Sequence, residues 1–194
     1  MAVAFSEKEK RIICQSLKNA AVQCAKTTGI KKTTVEELTT AAGISKGAFY
    51  GFYPSKELLF FDVLNEFNGV LYNVVFTKLV KDTGMSDADR ATAAILVGCN
   101  FLKDSGMSSF MGNYEASFSR KIPNELEHHY HIRKSLICNI FKQAGLHTDY
   151  EDDIFAASLR GLVLKVLLEQ DAGLSHPDVQ QVLIRGICKE LFPR

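Results

Sequence analysis

Several things are scarce or missing in this chain of 194 residues. No run of Val, Ile and Thr alternates with polar residues over a strand's length, and no Asn-Gly or Asp-Gly pair offers a hairpin turn, so a β-sheet protein is excluded. Apolar runs are short: the best, Gly161 to Leu168, is interrupted by Lys165, too short to span a bilayer, so no membrane partner is expected. The N-terminus is charged by Glu7 and lacks an apolar core, so it is not expected to be a signal peptide. Five cysteines (Cys14, Cys24, Cys99, Cys138, Cys188) are scattered without a CxxC, which points to a reduced, cytoplasmic protein whose cysteines act as small hydrophobes. GxSxG, HExxH, P-loop and GxGxxG patterns are all absent, so no enzyme class and no cofactor suggests itself. There is no repeat, no low-complexity tract, and no Pro/Gly/Ser-rich linker.

What is present reads as helix almost throughout. The four prolines (Pro54, Pro123, Pro177, Pro193) all sit at plausible helix edges. Ser6-x-x-Glu9, Thr34-x-x-Glu37 and Thr148-x-x-Glu151 read as capping boxes, and Ser86-Asp87-Ala88-Asp89 as another start. The pattern predicts helices over about 6–27, 34–42, 45–52, 55–81, 87–104, 107–119, 124–144, 149–170 and 177–191. The first would bury Ile12, Ile13, Leu17, Ala20, Ala21 and Cys24.

The net charge of +1 hides an asymmetry. Residues 1–60 carry nine basic and five acidic side chains, against 14 and 17 in the remainder. A basic head on an acidic body suits a protein that meets phosphates at one end.

The most informative stretch is 33–59, TTVEELTTAAGISKGAFYGFYPSKELL. Two short helical patterns flank the turn Ala42-Gly43-Ile44, and an aromatic cluster with Pro54 closes the second. This is a helix-turn-helix, a unit that offers one short helix to the major groove of duplex DNA. Thr34 caps the first helix while its free N–H groups suit a phosphate. Ser45 caps the second, Lys46 lies in its first turn and Tyr50 one turn on, while Gly47 and Ala48 are small enough for close approach. Ser55 and Lys56 open the next helix, where the dipole and a lysine suit a phosphate.

With these residues in hand, the sequence resembles the TetR family of bacterial transcriptional regulators. The resemblance rests on Gly29, Thr33-Thr34, Ala42-Gly43-Ile44-Ser45-Lys46-Gly47, Tyr50 with Phe52-Tyr53, and Ser55-Lys56-Glu57-Leu58-Leu59, and covers about residues 12–60. It departs from the family pattern at Ala25, Thr39, Gly51 and Phe52; neighbouring Tyr53 offers the hydroxyl that Phe52 lacks. The resemblance implies an all-α homodimer, with a head at 1–54 and a ligand-binding and dimerisation body at 55–194. It implies a ligand-released repressor on a pseudo-palindromic operator, with Thr33, Thr34, Ser45, Lys46, Gly47, Tyr50, Tyr53 and Lys56 at the DNA. The effector would be a small molecule of unspecified nature.

In the body, Phe101, Met107, Phe110, Met111, Tyr114, Phe118 and Leu136, with Tyr130 and Phe141, suit either an apolar pocket or plain core. Glu115 suits a surface position or a cationic ligand. The segment 154–168 is apolar on nearly all sides, and Val179, Val182, Leu183, Gly186 and Ile187 form one stripe. With Phe155, Ser158 and Leu162 they are expected at a four-helix dimer interface, an intrachain core being the alternative. His128, His129 and His131 suit a polar face with one inward imidazole better than a metal site, since no third and fourth ligands are evident.

Overall fold

The computed structural model describes residues 5–81, 83–171 and 177–193. Among them are ten helices and no strand: α1 Glu7–Thr27, α2 Gly29–Lys32, α3 Val35–Ala42, α4 Lys46–Phe49, α5 Lys56–Lys81, α6 Asp87–Asp104, α7 Ser108–Phe118, α8 Pro123–Gln143, α9 Asp152–Asp171 and α10 Pro177–Leu191. The starts of α1 and α3 follow from reciprocal capping. Ser6 accepts from Glu9 N–H while the Glu9 carboxylate takes Ser6 N–H, and Thr34 and Glu37 do the same. Ser86 caps α6 through Asp89 N–H.

Three local expectations are corrected. The one-turn helix α2 has no counterpart in the predicted set; Gly29, at φ 75°, turns the chain out of α1, and helix resumes at once. The expected helix 45–52 is helical only at Lys46–Phe49, because Gly51 N–H and Phe52 N–H bond back three residues, to Ala48 and Phe49. The Thr148 box does not form: its hydroxyl accepts from Tyr150 N–H at 3.3 Å, and α9 starts at Asp152.

The described residues form two compact units. One comprises the chain up to Phe67 with Asn113–Pro123; the other comprises Asn68–Gly112 and the chain from Asn124 onward. The core of the first holds Leu17, Ala20, Ala21, Ala25, Ile30, Leu38, Phe49, Leu59, Phe60 and Leu64, with Phe118 edge-on to Phe61 at 5.7 Å. Ile12, expected inside, is 57% exposed; Ala25 takes the inward place one face round. The second unit is built on Leu79, Ala91, Ala94, Ile95, Cys99, Leu146, Leu159 and Ile184. There the rings of Phe141, Phe155 and Phe192 meet within 5.3–5.8 Å.

One buried cation organises this second core. Arg90 donates from Nη2 to Leu79 O and Ala144 O, both at 2.8 Å, and from Nη1 to Asp87. It thereby satisfies carbonyls at the C-terminal ends of α5 and α8, which would otherwise be orphaned inside the protein.

Candidate nucleic-acid interface

The turn between α3 and α4 is set by glycine geometry. Gly43 sits at φ 69°, and Gly43 N–H and Ile44 N–H close the end of α3 on Thr40 O and Thr39 O. A Cβ at this φ would be strained although space is open around it. Ser45 then starts α4, its Oγ accepting from Ala48 N–H at 3.2 Å. Phe49 is fully buried and pins α4, with Tyr50 edge-on to it at 5.4 Å.

This leaves Thr34, Ser45, Lys46, Gly47 and Tyr50 exposed. Lys46 pairs with Glu36 of α3 at 2.5 Å; that hydrogen bond raises the ammonium pKa and lowers the carboxylate's. The pair is solvated on both sides, so Glu36 orients Lys46 at little energetic cost to release. A Cβ on Gly47 would have only Ser45 Oγ within 4 Å, so this surface of α4 is bare backbone. Phe52 is turned away to pack on Phe5, ring centroids 6.0 Å apart.

The other three sequence candidates spend their polar groups inside the head. Thr33 is 1% exposed and its hydroxyl donates to Gly29 O at 2.8 Å. Lys56 Nζ donates to Ile30 O at 2.8 Å and Thr33 O at 2.5 Å, capping the carbonyls that end α2. Tyr53 is 8% exposed; its hydroxyl donates to Asp62 Oδ2 at 2.8 Å and lies 3.2 Å from Cys14 Sγ. Burial, and then the Cys14 and Asp62 contacts, push the phenol well above its ordinary range, so it stays a donor.

Sequence reasoning did not find the network that continues from Tyr53. Lys18 bridges Asp62 at 2.8 Å and Glu66 at 2.6 Å, tying α1 to α5. Burial opposes the Lys18 charge, but the two carboxylates more than offset it and hold its pKa above the ordinary value. Cys14/Lys18 and Asp62/Glu66 are both i,i+4 pairs, a signal that each is one face; that the two faces meet is tertiary.

In the body, Met107, Phe110 and Met111 are buried, and Phe101 is half-buried. Tyr114 and Phe118 are buried too, but belong to the unit that holds the head. Leu136 is 42% exposed, outside any core. The side chains of Glu115, Tyr130, Val166, Leu167 and Leu168 lie outside the described residues. Phe141, a pocket candidate, is core. Of the expected dimer residues, Val179, Leu183 and Gly186 are exposed, and Ser158 and Ile187 half-buried. Phe155 and Leu162 face inward, 2% and 5% exposed, in their own chain's core. Val182, also expected at the dimer interface, is 69% exposed, and Ile154 of α9 is 50% exposed. His128 and His131 are exposed, and His129 is the inward one; burial, and then the Arg133 charge, lower its pKa to about 4.

The fold and this surface define an all-helical protein with a helix-turn-helix head and a helical body. Residues 17–63 match the family model described as bacterial regulatory proteins, tetR family. An uncharacterised HTH-type transcriptional regulator of Bacillus subtilis, YuxN, is 38% identical over 86 residues, 44% of this chain but only 26% of that protein's length. GusR of Salmonella enterica superposes with a TM-score of 0.70 at 18% identity over the whole of both chains. AibR, solved with isovaleryl coenzyme A and operator DNA, gives 0.60 at 17% identity over 93% of this chain and 98% of its own. The head thus matches the tetR family model over residues 17–63, and the chain shares the fold of solved TetR-family regulators.

Proposed function

We propose that the protein is a homodimeric repressor that binds a pseudo-palindromic operator and is released by a small-molecule effector, acting in the cytoplasm. The observation that carries this reading is the exposed row Ser45, Lys46, Gly47 and Tyr50 on a short helix locked by Gly43 and Phe49. Lys46 and Tyr50 provide phosphate contacts, and Ser45, Lys46 and the bare backbone at Gly47 meet base edges. Thr34 adds a helix N-terminus to a phosphate. Thr33, Tyr53 and Lys56 support this face from within. Gly51 and Phe52 add nothing to it, so groove shape carries more of the specificity than is usual for the motif.

The exposed apolar row Ile154, Val179, Val182 and Leu183, beside the open surfaces at Gly161 and Gly186, supports the dimer. Two heads then read two half-sites. The acyl-CoA and operator DNA bound by AibR support a ligand-controlled DNA binder. An effector acts only through unequal affinity for the DNA-competent and incompetent dimers.

Selection from a random duplex library, followed by titration at several salt concentrations, tests the reading. A recovered motif with two-fold symmetry, bound at least a thousandfold more tightly than random duplex, is expected. Recovery of no motif above background sinks it.

A further inference from the structure

Asn68 on α5 is 3% exposed, and among the described residues neither its amide nitrogen nor its amide oxygen has a hydrogen-bond partner. A buried carboxamide left this way costs several kcal/mol or has a ligand to serve, about 2–7 by transfer scales. Its surroundings follow from three contacts, all within the second unit. Arg90 joins the C-terminal ends of α5 and α8 through Leu79 O and Ala144 O. Arg133 Nε of α8 donates to Tyr72 Oη of α5 at 2.8 Å. The two helices therefore run side by side and parallel. Asn68 stands one turn before Tyr72 on the same face, and His129 one turn before Arg133, which brings the two within about a turn of each other along the pair. α6 runs antiparallel to α5: a Cβ on Gly98 would meet Val75 and Leu71 at 2.9 and 3.6 Å, and Arg90 lies at Leu79. That register carries Phe101 to the level of Asn68.

We propose that Asn68, flanked by His129 and Phe101, is the polar end of the effector site, and that the effector is an uncharged, largely apolar molecule ending in a carboxamide or similar carbonyl group. This rests on the ligand-controlled reading above and deepens it. The Asn68 amide presents one acceptor and two donors, the complement of a carboxamide. His129 is 4% exposed and stays neutral near pH 7, so it adds no charge to pair. Arg133, whose charge acts on His129, already donates to Tyr72, and it repels an ammonium. The carboxylates of the adjoining stretches, Asp104, Glu125 and Glu127, are exposed, so among the described residues they leave a cationic ligand no buried counter-charge there. Phe101 and the buried Met107 and Phe110 that follow it supply apolar surface in the same unit.

The test is thermal unfolding of the full chain and of Asn68→Leu with octanamide, octanoate or octylamine, probes matched in chain length. At about ten times its dissociation constant, octanamide should raise the wild-type melting temperature by about 3–5 °C, and the two charged probes by less than about 1 °C. Asn68→Leu should melt at or above wild type, since it removes an amide without partners, and should lose the octanamide shift. His129→Leu should at least halve that shift. The proposal is overturned if octanamide produces no shift, if a charged probe shifts more, if Asn68→Leu keeps the shift, or if Asn68→Leu melts lower or fails to fold. Operator selection reads DNA binding independently, so a motif recovered alongside a failed octanamide shift removes this site and leaves the repressor reading standing.

Discussion

Tyr53 donates its phenolic hydrogen to Asp62 Oδ2 at 2.8 Å, and the same oxygen receives Lys18 at 2.8 Å. A hydroxyl expected at the DNA is instead the joint between the end of the helix-turn-helix and α5. Tyr53→Phe should cost about 1–3 kcal/mol of stability, the range for a hydrogen bond to a charged acceptor. It should leave the salt dependence of operator binding unchanged. Urea unfolding and salt titration measure the two effects; a slope lowered by a full unit without loss of stability would return Tyr53 to the phosphate backbone.

Two lysines of the head should respond in opposite ways. Lys46 is exposed with one solvated partner, so Lys46→Ala should lower the slope of log affinity against log salt by about 0.9 while stability holds. Lys56 is held by the carbonyls of residues 30, 31 and 33, so Lys56→Met should lower the unfolding midpoint and leave the slope nearly unchanged. Equal slopes for wild type and Lys46→Ala would remove Lys46 from the interface.

Arg90→Met keeps much of the buried stem but strands Leu79 O and Ala144 O without their donor. The expected loss is about 3 kcal/mol in urea unfolding, with Arg90→Lys recovering part of it. A loss below about 1 kcal/mol would show that the two helix ends find other donors.

His129 makes stability depend on pH. Its folded pKa is about 4 against an ordinary 6.5, lowered first by burial and then by Arg133. Above about pH 6.5 the imidazole is neutral in both states, and its contribution is complete. As pH falls from 6.5 towards 4, the unfolded chain takes up the proton first, and roughly 3 kcal/mol is lost across that window. His129→Leu should flatten this part of the profile of unfolding midpoint against pH. An unchanged profile would mean the imidazole titrates alike in both states.

Val182, 69% exposed on α10, is the most accessible apolar side chain on the proposed dimer face. Val182→Asp should leave far-UV circular dichroism unchanged. It should convert the dimer to monomer in sedimentation velocity and weaken operator binding by at least tenfold. A dimer of undiminished stability would place the interface elsewhere.

The legible parts of the sequence were the local ones. Ser6, Thr34 and Ser86 announce their helices because a cap needs only the next three residues. Thr148 carries the same signature and fails. The chain there is drawn elsewhere: Asp152 receives Lys142 at 2.8 Å, and its carbonyl faces Cys138 Sγ at 3.6 Å, so α9 starts later. The α9 residues Phe155 and Leu162 were illegible for another reason. A helix apolar all round does not say which side meets its own chain and which a partner.

Sequence alone thus determined the all-helical class, the helix-turn-helix at 33–59 and the exposed residues of α4, since turn geometry and capping act over a few residues. Tertiary structure decided where the longer polar side chains spend their hydrogen bonds. Thr33 stays local, but Lys56 reaches back 23 residues to Thr33 O, Tyr53 reaches 39 to Cys14, and Arg90 reaches 54 to Ala144. A buried donor must find an acceptor somewhere, and which one it finds is settled only when distant helices pack.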